Sequence, residues 1–233
     1  MQLILGVVID AAGRPVCSEM WPGNTADVGV LVPVIDRLRR RFGVERVCVV
    51  ADRGMISSQT VAALEERGLE YVLGARERTD VLVRRVVLED QRGFTPLCVR
   101  RSGGRKTQLF VKEVLAEGRR YIVCRNAAEA AKDAADRMAI SNALDVQLKR
   151  GDKALIGNST YRRFLRTTTD ARAFEIDPGK VADEARFDGV FVLRTNARIT
   201  PLQAVLRYRD LLQVEQVFRT AKSLMQTRPI YHS

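Results

Sequence analysis

In residues 1–75, apolar runs of strand length alternate with segments whose apolar residues recur every three or four positions. That alternation restricts the chain to an α/β arrangement, because period-two and period-3.6 patterns bury different faces and pack as layers. QLILGVVID (residues 2–10) reads as a strand, AAGRP as a turn, and PVCSEMW as a returning strand, which together predict a hairpin. PGNTAD then carries helix-start residues, with Asn24 or Thr25 as the cap, ahead of VGVLVPVIDRLRRRFG; Pro33 is a potential kink inside that helix. VCVVAD is a second buried-type strand, SSQTVAALEERG a helix over about residues 57–67, and EYVLGA a further strand.

From residue 76 the rhythm changes. RTDVLVRRVVLED, TPLCVRR, TQLFVKEVLAE and RRYIVCRN read as successive strands separated by QRG, SGGRK and AEG turns, as in an antiparallel sheet. A long alanine-rich helix follows, from Asn126 to Gly151, then strands at AFEID and DGVFVLRTN. Two helical stretches, about 200–208 and 210–226, close the chain. The expected organisation is an α/β core made of residues 1–75 and 186–233, interrupted by a β-rich module with a long helix over residues 76–185.

Charge points to the class of partner. The 233 residues contain 39 Lys and Arg against 28 Asp and Glu, a net charge of +11, and such an excess concentrates polyanions. Nucleic acid is the natural candidate; a basic protein without that function is the plain alternative. No apolar run reaches the roughly 18–20 residues of a membrane span, and the start lacks a basic lead with a cleavage site, so a cytoplasmic protein is expected. Cys17, Cys48, Cys98 and Cys124 are scattered without close pairs, and three lie among valines and isoleucines, which predicts buried, inert thiols. Phosphate-loop, nucleophile-elbow and H-E-x-x-H signatures are absent from the sequence.

Two carboxylates stand out. Asp52 ends the run VCVVAD at the carboxyl edge of a core strand, where open α/β sheets place their ligand sites; a turn aspartate in DRG is the simpler account. In YRDLLQVEQVFRTAKSLMQTR, Leu211, Val214, Phe218, Ala221 and Met225 form one apolar helix face, with Glu215 on its flank and Arg219 and Lys222 following. A surface pair between Glu215 and Arg219 is the simpler account there. Carboxylates are hard oxygen ligands suited to Mg2+ or Mn2+, and two such ions can activate a hydroxyl and stabilise a leaving oxygen in phosphoryl transfer.

These residues carry a resemblance. The chain resembles the DDE transposases of bacterial insertion sequences, in particular the group whose last motif reads Y-x2-R-x3-E-x6-K. Tyr208, Glu215 and Lys222 fall on that motif, while its arginine position is Leu211; Arg209 or Arg219 stands near enough to supply the charge. VVADRGM is similar to the family's second-aspartate motif, and WPGNTAD, FDGVFVLRTN and RPIYH to other family blocks, so the likeness covers essentially the whole chain. It implies a ribonuclease H-like core with a β-rich insertion and a bacterial enzyme that cuts and joins DNA. It further implies Asp52 and Glu215 as catalytic ligands of Mg2+ or Mn2+, and Tyr208, Arg219 and Lys222 as contacts to transposon-end DNA. A homodimer is compatible with the sequence but not specified by it.

The resemblance also implies a first aspartate on a strand ahead of the hairpin. Only two strands precede the first helix here, so that strand is expected upstream of Met1; Asp10, before the AAG turn, is adequately explained by turn chemistry. The end reads as cut too, leaving His232 stranded near the terminus. With one ligand absent, weak or no strand transfer is expected of the isolated polypeptide. The alternatives are a nonenzymatic DNA-binding remnant, gripping DNA through RRSGGRK and EGRRY in residues 100–125, and another nuclease of the same fold.

Overall fold

The computed structural model describes residues 3–9, 14–22, 27–43, 47–52, 57–100, 106–149, 159–168, 174–211 and 219–220. Strands β1 (Leu3–Ile9) and β2 (Pro15–Pro22) pair antiparallel as the expected hairpin, with a register shift between Val8 and Ile9. Helix α1 (Asp27–Phe42) continues through Pro33, which is exposed and so loses its backbone N–H on the wet side. Strand β3 (Cys48–Ala51), helix α2 (Ser58–Glu66) and strand β4 (Glu70–Gly74) form a parallel βαβ unit, Cys48 to Ala51 aligned with Glu70 to Leu73. Ser57 starts α2 by accepting from the Thr60 amide at 3.1 Å.

Residues 81–88 depart from the strand expected there. Asp80 accepts hydrogen bonds from the amides of Leu82 and Val83, and the chain coils into a π-helical turn, Val83–Val87, that buries both terminal valines. The apolar pattern of VLVRRVV fits both periods over so short a run, and the capping aspartate decides between them. Strands β5 (Thr95–Arg100), β6 (Lys106–Ala116) and β7 (Arg119–Arg125) follow, then helix α3 (Ala127–Leu148), which begins on Asn126 as its cap. Helix α4 (Ser159–Arg162) precedes the short antiparallel pair β8 (Leu165–Thr167) and β9 (Phe174–Ile176). Helix α5 (Pro178–Ala185) was not anticipated, although its signal is local: Asp177 accepts from the amides of Gly179 and Lys180, and Pro178 occupies the first turn. Strand β10 (Val190–Thr195) and helix α6 (Pro201–Arg209) follow.

The main sheet is mixed and six-stranded, in the order β3-β4-β10-β7-β6-β5. Two compact units are distinguished, one of residues 1–76, 113–122 and 193–233, the other of residues 77–112 and 123–192. In the first, Ile35, Val49, Ala51, Val61, Leu64, Leu69, Tyr71 and Leu73 form one buried cluster, with Leu31 and Val47 against it. Burying each such side chain is worth about 1.5–3 kcal/mol, so α1, α2 and the β3–β4 pair stand or fall together. In the second, Leu144, Phe164 and Leu165 form a smaller core beneath Ile140, Tyr161, Phe174 and Ile176.

The cysteines correct the sequence reading. Only Cys124 is buried; Cys17 and Cys48 are partly buried and Cys98 is exposed. Valine-rich surroundings in sequence do not separate the two faces of a strand. Among the described residues no helix is long and apolar enough to cross a membrane.

Candidate active site

The burial of β3 alternates, placing Val49 and Ala51 in the core and leaving the next residue, Asp52, exposed just beyond the strand's carboxyl end. Its partner comes from the far end of the chain. The Tyr208 hydroxyl donates to Asp52 Oδ1 at 2.7 Å. The two residues are 156 positions apart, so only the tertiary fold makes this contact.

Tyr208 is delivered by α6, whose start is unusually well specified. Thr200 accepts from the Gln203 amide at 3.2 Å while the Gln203 side chain accepts from the Thr200 amide at 2.9 Å, a complete capping box with Pro201 in the first turn. Ala204 and Val205 are fully buried, and α6 packs on β4 and β3. Tyr208 lies four and three positions later, on the same side of the helix, and its hydroxyl reaches Asp52 just past the end of β3.

The segment entering α6 is braced from two sides. Thr195, buried, donates to the Tyr71 carbonyl at 2.6 Å and accepts from the Ala197 amide at 3.1 Å. Asn196 continues the β4 ladder with its side chain, accepting from the Tyr71 amide at 2.8 Å and donating to the Leu69 carbonyl at 3.0 Å. Arg120, on β7, donates to the carbonyls of Ala197 and Ile199, both at 2.9 Å, and pairs with Glu113 at 2.6 Å. Each of these satisfies backbone groups left where the strand ends. The Thr-Asn of FVLRTN and the second arginine of EGRRY are therefore structural. Arg120, in the EGRRY segment that the sequence offered as a DNA grip, thus spends its guanidinium on bonds within the protein; Arg119 pairs with Glu117 at 3.7 Å.

Around this frame the polar groups are mutually engaged. The Tyr71 hydroxyl donates to Glu65 Oε1 at 2.6 Å, and Arg194 bonds the same oxygen at 3.1 Å with its guanidinium 5.8 Å from the Tyr71 ring centroid. Burial, followed by the bond to Glu65, pushes the Tyr71 hydroxyl up to about 12. The Cys48 thiol, at the opposite end of β3 from Asp52, is pushed up by burial and drawn partly back by the Arg207 guanidinium beside it.

Of the residues singled out from sequence, Asp52 and Tyr208 are thus brought together. Arg219 is helical and exposed. Glu215 and Lys222, like Asp10 and His232, lie outside the described residues.

Residues 2–230 match the transposase DDE domain family. The chain belongs to this family. Membership implies a ribonuclease H-like fold, DNA as the partner and transposition as the activity, and DDE transposases generally use a divalent metal ion. A search of curated proteins found no match.

Proposed function

We propose that this transposase domain cleaves DNA at transposon ends and transfers the strand, with Asp52 and Glu215 as carboxylate ligands of Mg2+ or Mn2+. The observation that carries the reading is the bond between Asp52 and Tyr208, two motif residues that have no reason to meet unless the motifs build one site. Glu215 follows Tyr208 by seven residues in the sequence, the spacing that the family's last motif gives its tyrosine and glutamate. The donor chemistry fits a divalent ion: Asp52 is exposed, and a carboxylate accepts about four contacts, of which the Tyr208 hydroxyl takes one. When bound, the ions activate the attacking hydroxyl and stabilise the leaving oxygen. Arg219 and Lys222 serve as phosphate contacts, their charge holding the DNA strand against the carboxylates.

Metal placement is tested without relying on turnover. Fe2+ substituted for Mg2+, with ascorbate and peroxide, should cut the backbone near residues 52 and 215, and Asp52→Asn or Glu215→Gln should each suppress both cuts. Cuts elsewhere, unchanged by either substitution, would remove the assignment. In parallel, Mn2+ and DNA bearing the flanking inverted repeats should give nicked ends that Asp52→Asn abolishes. A DNA-binding remnant would show neither effect. A nuclease of the same fold would cut without dependence on Lys222.

A further inference from the structure

Resting on that reading of the site around Asp52 and Tyr208, we propose that Arg120 is a positioning residue for the reaction. It touches neither metal nor DNA; it acts through the start of α6, which sets where Tyr208 meets Asp52. Between the end of β10 at Thr195 and the cap of α6 at Thr200, residues 196–199 belong to neither element, so their carbonyls need partners from outside. From the β7 side Arg120 supplies them. Its Nη1 donates to the Ala197 carbonyl and its Nη2 to the Ile199 carbonyl, both at 2.9 Å, while Nη2 also donates to Glu113 at 2.6 Å.

A guanidinium is planar and rigid, so two carbonyls caught by its two terminal nitrogens are fixed in direction as well as distance. Ile199 is the residue directly before the helix cap, and the direction of its carbonyl therefore enters the direction of the helix. The lever is long. From Thr200 to Tyr208 the helix rises about 12 Å at 1.5 Å per residue, so a tilt of about 5° at the cap moves the far end by about 1 Å. A shift of that size breaks the 2.7 Å bond between Tyr208 and Asp52. Misplacement by about 1 Å can cost a reaction about 100-fold. The other supports of α6 do not prevent such a tilt: Ala204 and Val205 hold it against the sheet, and the capping box closes its first turn. Without Arg120 the helix forms but is loosely aimed. A lysine would keep the charge, yet its single nitrogen lacks the fork that spans both carbonyls and Glu113.

The test separates aim from charge. Single-turnover nicking of inverted-repeat DNA with Mn2+ is measured on the full chain for wild type, Arg120→Lys, Arg120→Gln and Arg119→Gln. Both Arg120 variants should nick about 10- to 100-fold more slowly at saturating DNA, with the DNA concentration for half-maximal rate within about twofold of wild type. Arg119→Gln should behave as wild type. A wild-type rate in Arg120→Lys, or an equal loss in Arg119→Gln, overturns the proposal, because charge on the hairpin and not the fork would then be what matters. A second readout follows the contact itself and does not need turnover. In protein labelled with 3-fluorotyrosine near neutral pH, the resonance missing from Tyr208→Phe should shift on Asp52→Asn, and in the Arg120→Lys background the same substitution should shift it by about half as much or less. Equal shifts in the two backgrounds, or no shift in either, overturn the proposal even where Arg120→Gln is too unstable to assay. Full nicking by Asp52→Asn would instead remove the catalytic reading of the site, leaving the fluorine comparison to judge Arg120 by itself.

Discussion

Asp52 and Tyr71 show opposite uses of one physical situation, a polar group at the edge of the same buried cluster. Asp52 is exposed and keeps acceptor capacity after its bond to Tyr208, which suits a ligand. Tyr71 is buried and its hydroxyl is closed off by Glu65, which suits a brace. The brace has a pH signature. Because the Tyr71 hydroxyl is raised from 10 to about 12 in the folded protein, the unfolded chain loses this proton first as pH rises. The stability it contributes is thus fully present below about pH 10 and is lost as pH rises through about 12. Urea midpoints should show wild type more stable than Tyr71→Phe by about 1 kcal/mol near neutrality. That advantage should shrink between pH 10 and 12; a constant gap across this interval would contradict the assignment.

At the scale of elements, junctions between strands and helices concentrate the specific contacts. In the unit of residues 77–112 and 123–192, the start of α3 docks on the turn before β10. The Asn126 amide donates to the Gly189 carbonyl at 2.9 Å, and the Gly189 amide donates to Asp133 at 2.9 Å. Gly189 has φ +61°, and an added Cβ would lie 2.3 Å from the Asn126 carbonyl oxygen and 2.7 Å from the Ala130 nitrogen. Both atoms are backbone, so neither can swing aside. Gly189→Ala should cost at least about 2 kcal/mol, the strain of the left-handed conformation adding to the clash. Gly68→Ala makes the control: its φ is +62° but nothing stands within 4 Å of the new Cβ, so the cost should be limited to about 1 kcal/mol. Equal losses in thermal or urea denaturation would show that backbone conformation alone matters at residue 189.

At the scale of the whole molecule, the excess of +11 is unevenly committed. Arg78, Arg84, Arg163 and Arg186 are engaged with Glu77, Asp183, Glu184 and Glu89, with Arg78 and Arg84 also over the Phe187 ring. These arginines already have carboxylate partners within the protein, so they are expected to release few counterions when DNA binds. Arg219→Gln and Lys222→Gln should each lower the slope of log affinity against log salt by about one. Arg186→Gln should leave that slope unchanged. A slope that responds equally to all three would mean that DNA senses net charge and not the C-terminal residues.

Sequence by itself specified the strand–helix order of residues 1–75, the three strands β5, β6 and β7, the long helix after Asn126 and the helix beginning at Pro201, because each is set by local periodicity and capping over enough residues to be unambiguous. It also singled out Asp52 by its place at a strand's carboxyl end, and the family resemblance added Tyr208. It misread residues 81–88, where a run too short to separate two periods was decided by Asp80, and it missed α5 despite the Asp-Pro start. What only the tertiary structure decided is who meets whom. Cysteine burial, the bracing of α6 by Arg120 and Asn196, the buttress at Gly189 and the bond from Tyr208 to Asp52 all join residues distant in the chain. Local periodicity records which way a side chain faces along its own element; it holds no information about the residue that the fold carries to the other side of the gap.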